Sequence, residues 1–209
     1  MEQSLPYRRI HKAIKNAFIE IAAKKSFEKI TVQDLLDEAL VSRYTFYQHF
    51  HDKYEVAECL QEELYQDFLN FIEKKLPVMD QPGQSPEAYH QIIDNASMEF
   101  VRQYHMKIQA LKNIRTDTID FYGLLKSYFM KHYKESYEDG VTRDLEANIY
   151  SNMVTAVMEF YNINYLSNTG SNISHSISTA YTNAYLYAMG IHEKNANKKL
   201  EAFIQSLYR

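Results

Sequence analysis

The sequence predicts an all-α protein, with an N-terminal unit of three helices followed by a larger helical domain. The 209 residues include only 5 glycines and 4 prolines, where average usage would give roughly 25 of the two together. So few turn-forming residues disfavour a β-sandwich or barrel and favour long helices. Apolar residues also recur at helical spacing along most of the chain.

Composition excludes several classes of protein. The chain has 45% hydrophobic and 24% charged residues, which is ordinary for a globular domain and excludes bulk disorder. No run approaches the roughly 18 apolar residues of a membrane span, and the N-terminus lacks the apolar core of a signal peptide. We therefore expect a cytoplasmic protein. The single cysteine, Cys59, excludes an internal disulfide and a multi-cysteine zinc site.

Charge is distributed unevenly along the chain. Residues 1–29 carry a net charge of +4, although the whole chain has a formal net charge of −4, so the remaining residues carry −8. A basic end on an acidic body favours a polyanionic partner of the N-terminal end, such as nucleic acid.

Three short helices account for the first fifty residues. The first has a single apolar stripe at the spacing of an amphipathic helix, formed by Ile10, Ala13, Ile14, Ala17, Phe18, Ile21 and Ala22. Thr31 is expected to cap the second helix. Ser42 is expected to cap the third, which should run from Arg43 to about His49.

A long fourth helix is predicted to begin after Asp52, which forms a near capping box with Glu55, and to end at Pro77. Residues 77–86 hold three of the four prolines and form the most obvious linker. We place the domain boundary inside the long helix instead, because the three short helices already make a complete unit. The predicted domains are residues 1–53 and 54–209, with helix 53–76 as the connector.

The rest of the chain also has helical patterns. Helices are expected from Pro86 to about Tyr104, over 106–114, and after a cap at Asp117. Helix 142–167 is apolar on two faces, so it needs two packing partners, one of which can be a second subunit. One face carries Leu145, Ile149, Met153 and Phe160. The other carries Tyr150, Val154, Met158, Tyr161 and Tyr165. Helix 173–189 has a row of small residues that permits close packing: Ala180, Ala184 and Ala188.

Two short helices behind a basic first helix match the helix-turn-helix arrangement, in which the start of the second short helix contacts base edges in the DNA major groove. Arg43 can form paired hydrogen bonds to guanine, and Tyr44 can stack on a sugar or a thymine methyl. Polar side chains and helix N-termini nearby can bind phosphates, at Thr31, Thr45, Tyr47, His49 and Lys53. On pattern alone, a small three-helix core with ordinary caps explains the same residues equally well.

The segment from Ile30 to Val56, ITVQDLLDEALVSRYTFYQHFHDKYEV, closely resembles the N-terminal DNA-binding signature of TetR-family transcriptional regulators. That signature has a Thr-capped helix, a turn, a Ser/Thr-aromatic-Tyr-x-x-Phe segment and a lysine. The matching positions are Thr31, Val41, Ser42, Thr45, Phe46, Tyr47, Phe50 and Lys53. The resemblance covers residues 9–56, about a quarter of the chain. It departs from the family at the turn, where Leu40 replaces the usual glycine.

The resemblance implies an all-helical fold, with a helix-turn-helix DNA-binding domain and a larger domain for effector binding and dimerisation. It implies that bases are read by Gln33, Arg43 and Tyr44. It implies that phosphates are held by Thr31, Ser42, Thr45, Tyr47, His49 and Lys53. It also implies that helices 142–167 and 173–189 form a homodimer interface, so that two recognition helices meet a roughly palindromic operator in double-stranded DNA.

The resemblance further implies an effector pocket in the second domain. The chain has 18 tyrosines and no tryptophan, which suits a small aromatic or amphipathic effector. The candidate lining residues are Tyr65, Phe68, Met98, Tyr104, His105, Tyr122, Tyr128, Phe129, Met158 and Tyr161. Aromatic residues at helical spacing are also typical of an ordinary core, so both interpretations remain open.

Other functions are less favoured by the sequence. We find no glycine-rich phosphate loop and no hydrolase or metalloprotease motif, so we expect neither an enzyme nor a cofactor. The spacing of His49 and His51 permits metal binding, but phosphate contact explains His49 better and no metal site is predicted. The default hypothesis is a repressor released from DNA by a small effector. The alternative is a TetR-like regulator controlled by a protein partner without a small-molecule ligand.

Overall fold

Helices make up all of the regular structure in the described residues. The computed structural model describes residues 4–79, 86–136 and 140–164. The α-helices are α1 (Leu5–Ala22), α2 (Val32–Ala39), α3 (Arg43–Tyr47), α4 (Lys53–Met79), α5 (Pro86–Leu111), α6 (Phe121–Ser136) and α7 (Arg143–Asn164). A short 3-10 turn, Phe27–Lys29, lies between α1 and α2. The predicted all-α fold class is confirmed.

Helix α1 packs through the apolar stripe that its sequence predicts. Ser4 caps its N-terminus, accepting a hydrogen bond from the backbone N–H of Tyr7. Its buried residues are Ile14, Ala17, Phe18 and Ile21. Phe27, in the 3-10 turn, is also buried, and its ring lies 6.1 Å from that of Phe18. Phe27 therefore closes the end of the α1 core.

The predicted caps of the second and third helices are confirmed. Thr31 caps α2 in a capping box: its side chain accepts from the backbone N–H of Asp34, and the Asp34 carboxylate accepts from that of Thr31. Ser42 caps α3 and accepts from the backbone N–H of Thr45 at 3.0 Å. Helix α3 is shorter than expected and ends at Tyr47 rather than near His49.

Helix α4 begins where the sequence predicts but ends later. Asp52 Oδ1 accepts from the backbone N–H groups of Tyr54 and Glu55. Glu55 reaches back to the N–H of His51 rather than to that of Asp52, so the capping box is a variant. The helix runs to Met79, beyond Pro77, because proline has a helical φ and costs a helix one hydrogen bond without always ending it.

Two boundaries in the second half of the chain were predicted wrongly. Helix α5 is continuous from Pro86 to Leu111, with no break near Tyr104, because no glycine or proline interrupts it. Helix α6 begins at Phe121. Its cap is Asp120, whose Oδ1 accepts from the backbone N–H of Gly123 at 2.9 Å, and not Asp117.

The helices share one continuous hydrophobic core. Helix α1 packs on α2 and on α5, α4 packs along α5, and α6 packs along α7. The largest fully buried side chains include Phe18 and Phe46 in the N-terminal helices and Phe68, Phe100 and Phe121 further along the chain. All of them belong to the same cluster of buried residues. Helix α4 contributes buried residues to this core from Val56 to Phe71.

Helix α7 shows the two-faced pattern that its sequence predicts. Met158 and Tyr161 are buried, and Val154 packs against the core. The other face has four exposed apolar side chains: Leu145, Ile149, Phe160 and Ile163. The second helix expected at the dimer interface, 173–189, and residues 165–167 lie outside the described residues. No helix in the described ranges is long and apolar enough to span a membrane.

Candidate nucleic-acid interface

The turn between α2 and α3 is closed by a residue in the left-handed conformation. Leu40 has φ 54° and ψ 43°, and it is the one described non-glycine residue with positive φ. The backbone N–H groups of Leu40 and Val41 both donate to the carbonyl of Leu36. The turn therefore has the geometry that glycine normally provides, with a leucine in its place.

The three candidate base-reading residues lie together on an exposed surface. Arg43 Nη2 donates to Gln33 Oε1 at 3.0 Å, which joins the first turn of α3 to the first turn of α2. Tyr44 follows Arg43 in α3, and its side chain is 76% exposed. The paired guanidinium and amide therefore offer hydrogen-bond donors and acceptors of the kind that read base edges, and the next residue of α3 adds an exposed phenol ring.

The sequence analysis did not include one residue that contacts this surface. Asp37 accepts a hydrogen bond from Gln33 Nε2 at 2.8 Å. Gln33 is thereby held between Arg43 and Asp37, with its amide orientation fixed at both ends. The spacing of Gln33 and Asp37, four residues apart on a helix, is the signal that predicts such a contact.

The candidate phosphate-binding hydroxyls are at helix N-termini, where backbone N–H groups also favour anions. Thr31 Oγ1 contacts the Asp34 carboxylate at 2.8 Å, and Ser42 Oγ lies 2.8 Å from Thr45 Oγ1. Tyr47 is 46% exposed, and its ring packs edge-on against that of Phe46. The hydroxyl groups of Thr31 and Ser42 act as helix caps, whereas Tyr47 lies at the end of α3 and presents its phenol to solvent.

Lys53 has a structural role that its sequence position does not reveal. Its Nζ donates to the carbonyl oxygens of Phe27, Glu28 and Ile30, at 2.8, 3.1 and 2.9 Å. The ammonium also lies 4.7 Å from the centre of the Phe27 ring. All three N–H groups of the Lys53 ammonium donate to these carbonyls, so Lys53 connects the start of α4 to the 3-10 turn by hydrogen bonds.

His49 lies in an aromatic cluster that connects α1 to the residues that follow α3. Its ring lies 4.0 Å from Tyr7 and 5.7 Å from His11, whose own ring stacks on Phe50 at 4.4 Å. Burial lowers the pKa of His49. Burial also lowers the pKa of His11, and the nearby charge of Lys15 adds to this effect. Both rings are therefore held in the neutral form more strongly than a free histidine.

The beginning of α2 is electrostatically fixed. Lys25 Nζ donates to Asp34 Oδ2 at 2.6 Å, and the backbone and hydroxyl of Thr31 donate to the same oxygen. These hydrogen bonds lower the pKa of Asp34 to about 2, and the bond from Lys25 has the largest effect. The carboxylate therefore stays ionised and keeps the N-terminus of α2 ordered next to the candidate interface.

The candidate effector residues lie on α4, α5, α6 and α7, and several of their aromatic rings pack together. Phe68 is at the centre, with ring centres of Tyr128, Phe100 and Phe129 at 5.2, 5.5 and 5.7 Å. Nine of the ten candidates belong to the hydrophobic core or pack against it: Tyr65, Phe68, Met98, Tyr104, Tyr122, Tyr128, Phe129, Met158 and Tyr161. The tenth, His105, is buried. In this conformation the rings pack directly on one another.

A small polar cluster lies within this aromatic region. Asn162 of α7 is fully buried, and its backbone carbonyl accepts from Gln109 Nε2 at 3.3 Å. Burial raises the pKa of Tyr122, with a further contribution from the charge of Glu159, and burial lowers the pKa of His105. The phenol and the imidazole are therefore both favoured in their neutral forms, which suits a neutral hydrogen-bonding group on a ligand.

Comparison with known proteins supports the fold. No protein-family model and no curated protein matches the chain. The crystal structure of a γ-butyrolactone receptor, an ArpA-like protein, matches with a TM-score of 0.52 and 13% identity over 85% of this chain and 100% of that one. The structure of a fatty acid degradation regulator, FadR from Bacillus halodurans, matches with a TM-score of 0.41 and 15% identity over 80% of this chain and 98% of that one. The first match supports the TetR-like fold that the sequence resemblance implies.

Proposed function

We propose that this chain is a DNA-binding transcriptional regulator that binds a palindromic operator as a homodimer. The observation that carries the proposal is the exposed surface of Gln33, Arg43 and Tyr44, positioned by two capped helices and a left-handed turn at Leu40. The fold shared with a solved receptor and the signature from Ile30 to Val56 support it. The regulator acts in the cytoplasm, and it is not an enzyme.

Direct base contact belongs to Gln33, Arg43 and Tyr44 in this proposal. Phosphate contact belongs to the exposed cap hydroxyls and the nearby rings, at Thr31, Ser42, Thr45, Tyr47 and His49. Lys53 supports both sets, since its ammonium is bound to the 3-10 turn that precedes α2. The phosphate contacts set the position of the protein on DNA, and the base contacts select the sequence.

Dimerisation uses the exposed apolar face of α7, together with residues 173–189, for which the sequence predicts a helix. Leu145, Ile149, Phe160 and Ile163 lie within one narrow stripe of α7, and each is at least 45% exposed. Such a stripe is costly to leave in water and is typical of a subunit interface. A two-fold dimer places the two α3 helices on half-sites about one helical turn, or a multiple of it, apart.

Regulation proceeds through the aromatic region of the second domain. A small aromatic or amphipathic effector enters between the rings around Phe68 and stabilises an arrangement of α4 that separates the two recognition helices from their half-sites. Release from DNA on effector binding makes the protein a repressor. The alternative is control by a protein partner, in which the packed rings stay closed and no small molecule binds.

The DNA-binding proposal is tested with operator DNA obtained by selection from random sequence. We expect one roughly palindromic sequence to be bound by a dimer, with an affinity that falls steeply as salt rises. Arg43→Ala is expected to weaken binding by roughly 5-fold to 150-fold and to relax the preference at one base position, since a bidentate base contact contributes about 1–3 kcal/mol.

Arg115→Ala is the matched control, because it removes one exposed arginine far from α3 along the chain. Operator affinity is expected to stay within about twofold of wild type in this variant. Equal losses in the two variants, or no selected sequence at all, would contradict the assignment of α3 as the recognition helix.

The choice between effector and protein control has its own test. Under effector control, a ligand found by thermal-shift screening of aromatic and amphipathic compounds lowers operator affinity, and Tyr122→Phe weakens its binding. Under protein control, such compounds leave the operator complex unchanged, and release requires a cell extract.

A further inference from the structure

Three exposed polar side chains at the candidate nucleic-acid interface are joined in one row by hydrogen bonds. Asp37 Oδ1 accepts from Gln33 Nε2 at 2.8 Å, and Gln33 Oε1 accepts from Arg43 Nη2 at 3.0 Å. The row runs across the surface from the second turn of α2 to the first turn of α3. We call these three side chains the polar row.

The direction of the hydrogen bonds in the polar row is determined by its two ends. An ionised aspartate only accepts hydrogen bonds, and a guanidinium only donates them. The amide of Gln33 does both, so it satisfies both neighbours only when Nε2 faces Asp37 and Oε1 faces Arg43. An amide without Asp37 is free to rotate and to present N–H groups to the guanidinium, which has no acceptor for them. Asp37 therefore selects the amide orientation that holds Arg43.

The polar row orders Arg43 before any partner binds. A free arginine side chain has many rotamers, and ordering it on binding weakens the affinity that its contacts provide. The bond to Gln33 uses one of the five N–H groups of Arg43, which leaves four for a base. These groups and the second N–H of the Gln33 amide are all donors. The base that presents two acceptors side by side in the major groove is guanine, through O6 and N7.

We propose that Asp37 is a positioning residue for base recognition: it orients Gln33, Gln33 orients Arg43, and Arg43 selects guanine at one position of each operator half-site. Asp37 itself touches no base. Its negative charge lies at a surface that meets a polyanion, so it lowers affinity for DNA of every sequence. Loss of Asp37 therefore raises general affinity and lowers base preference, a combination that a merely structural residue does not produce. This inference rests on the proposed DNA-binding function.

The test compares the affinity of the full chain for its selected operator with that for an operator in which adenine replaces one guanine. The guanine is the one whose preference Arg43→Ala removes, and wild type is expected to prefer it by at least about fivefold. Asp37→Ala is expected to reduce this preference by about threefold or more and to raise affinity for random-sequence DNA. Added to Arg43→Ala, it is expected to change the preference no further, because both residues act through one contact.

Two further variants separate the hydrogen bond of Asp37 from its charge. Asp37→Asn removes the charge but keeps an acceptor for Gln33, so it is expected to retain most of the guanine preference. Glu38→Ala makes the same change of net charge at the next exposed acid of α2 and is expected to leave the preference unchanged. Circular dichroism verifies that all variants are folded.

The outcomes distinguish this inference from the function on which it rests. A wild-type protein that selects no sequence would overturn both. If wild type selects a sequence, an equal guanine preference in Asp37→Ala and wild type would overturn the inference alone, as would equal losses in Asp37→Ala and Glu38→Ala. A change from cytosine to adenine preference in Asp37→Asn would mean that residue 37 reads a base directly, which also overturns the positioning role.

Discussion

At the scale of single residues, Leu40 is strained and its side chain contributes little. It has a left-handed conformation, and its side chain is 91% exposed. Leu40→Gly removes a steric cost of about 1–2 kcal/mol and adds a smaller entropic cost in the unfolded chain. We therefore expect the free energy of unfolding, measured in urea, to rise by about 0.5–1 kcal/mol.

Leu40→Ala is the control for this prediction, because it shortens the side chain but keeps the Cβ that causes the strain. It is expected to change stability by less than about 0.5 kcal/mol. A destabilised Leu40→Gly protein would mean that the leucine side chain stabilises the fold despite its exposure.

Two partly buried histidines, His11 and His49, predict a pH dependence of stability. Folding lowers the pKa values of His11 and His49 below the unfolded value of 6.5. Above that pH, both histidines are neutral in the folded and in the unfolded protein, so protonation does not reduce the free energy of unfolding. As pH falls through 6.5 toward the lower folded values, the unfolded chain binds protons first, so stability is lost.

Thermal unfolding at pH values from about 7.5 to 5 measures this effect. His49→Phe keeps a ring against Tyr7 but cannot be protonated, so its melting temperature is expected to fall less than that of wild type over this range. His132→Gln changes a half-exposed histidine of α6 and is expected to follow the wild-type curve. Parallel curves for all three proteins would exclude His49 as a contributor.

At the scale of secondary-structure elements, the contact between α4 and the 3-10 turn depends on Lys53. Lys53→Met removes the donor from three backbone carbonyls and is expected to lower the free energy of unfolding by about 1–3 kcal/mol. The salt dependence of DNA binding is expected to keep its slope, because a lysine that supports the fold neutralises no phosphate.

The slope of log DNA affinity against log salt concentration distinguishes this structural role of Lys53 from the phosphate contact that the sequence resemblance implies. Loss of a phosphate contact reduces the slope by about one unit with little effect on stability. That result would return Lys53 to the group of DNA contacts. Lys53→Arg is the conservative companion variant and is expected to restore part of the stability.

The sequence predicts the local features of these elements well and their distant contacts poorly. The α1 stripe and the caps at Thr31 and Ser42 are correct because each depends on residues within about one turn. The bond between Gln33 and Arg43 joins residues ten apart, and Lys53 contacts a turn more than twenty residues earlier. Such partners depend on how helices cross, which periodicity does not determine.

The ends of helices in the second half of the chain are also predicted poorly from the sequence. Pro77 and Asp117 are reasonable boundary signals, yet α4 continues to Met79 and α6 begins only at Phe121. At the candidate sites, the residue types of the interface were identified from the signature. The contact between Gln33 and Asp37 could have been predicted from their spacing of four residues on α2, whereas the bond from Arg43 to Gln33 could not.

At the scale of the whole molecule, the exposed stripe of α7 predicts the oligomeric state. Ile149→Glu with Phe160→Glu places two charges in the proposed interface and is expected to raise the dimer dissociation constant by roughly 100-fold or more. Sedimentation velocity measures this change. Operator affinity is expected to fall with it, since a monomer binds only one half-site.

Met106→Glu provides the control for the dimer prediction. Met106 is a 44% exposed apolar residue of α5, similar in exposure to Phe160 but on another helix. Its substitution is expected to leave the sedimentation coefficient unchanged. A wild-type protein that sediments as a monomer at high concentration would contradict the proposed interface.

The continuous core has a consequence for genetics. Because the buried side chains from α1 to α7 form one cluster, a cavity made near Phe121 weakens the support of α3 as well as its own surroundings. In a screen for cells that have lost the proposed repression, substitutions are expected to be scattered over the whole described chain. The position of a substitution in the sequence then does not distinguish a variant that fails to fold from one that fails to bind its ligand. A melting curve for each variant separates these two groups.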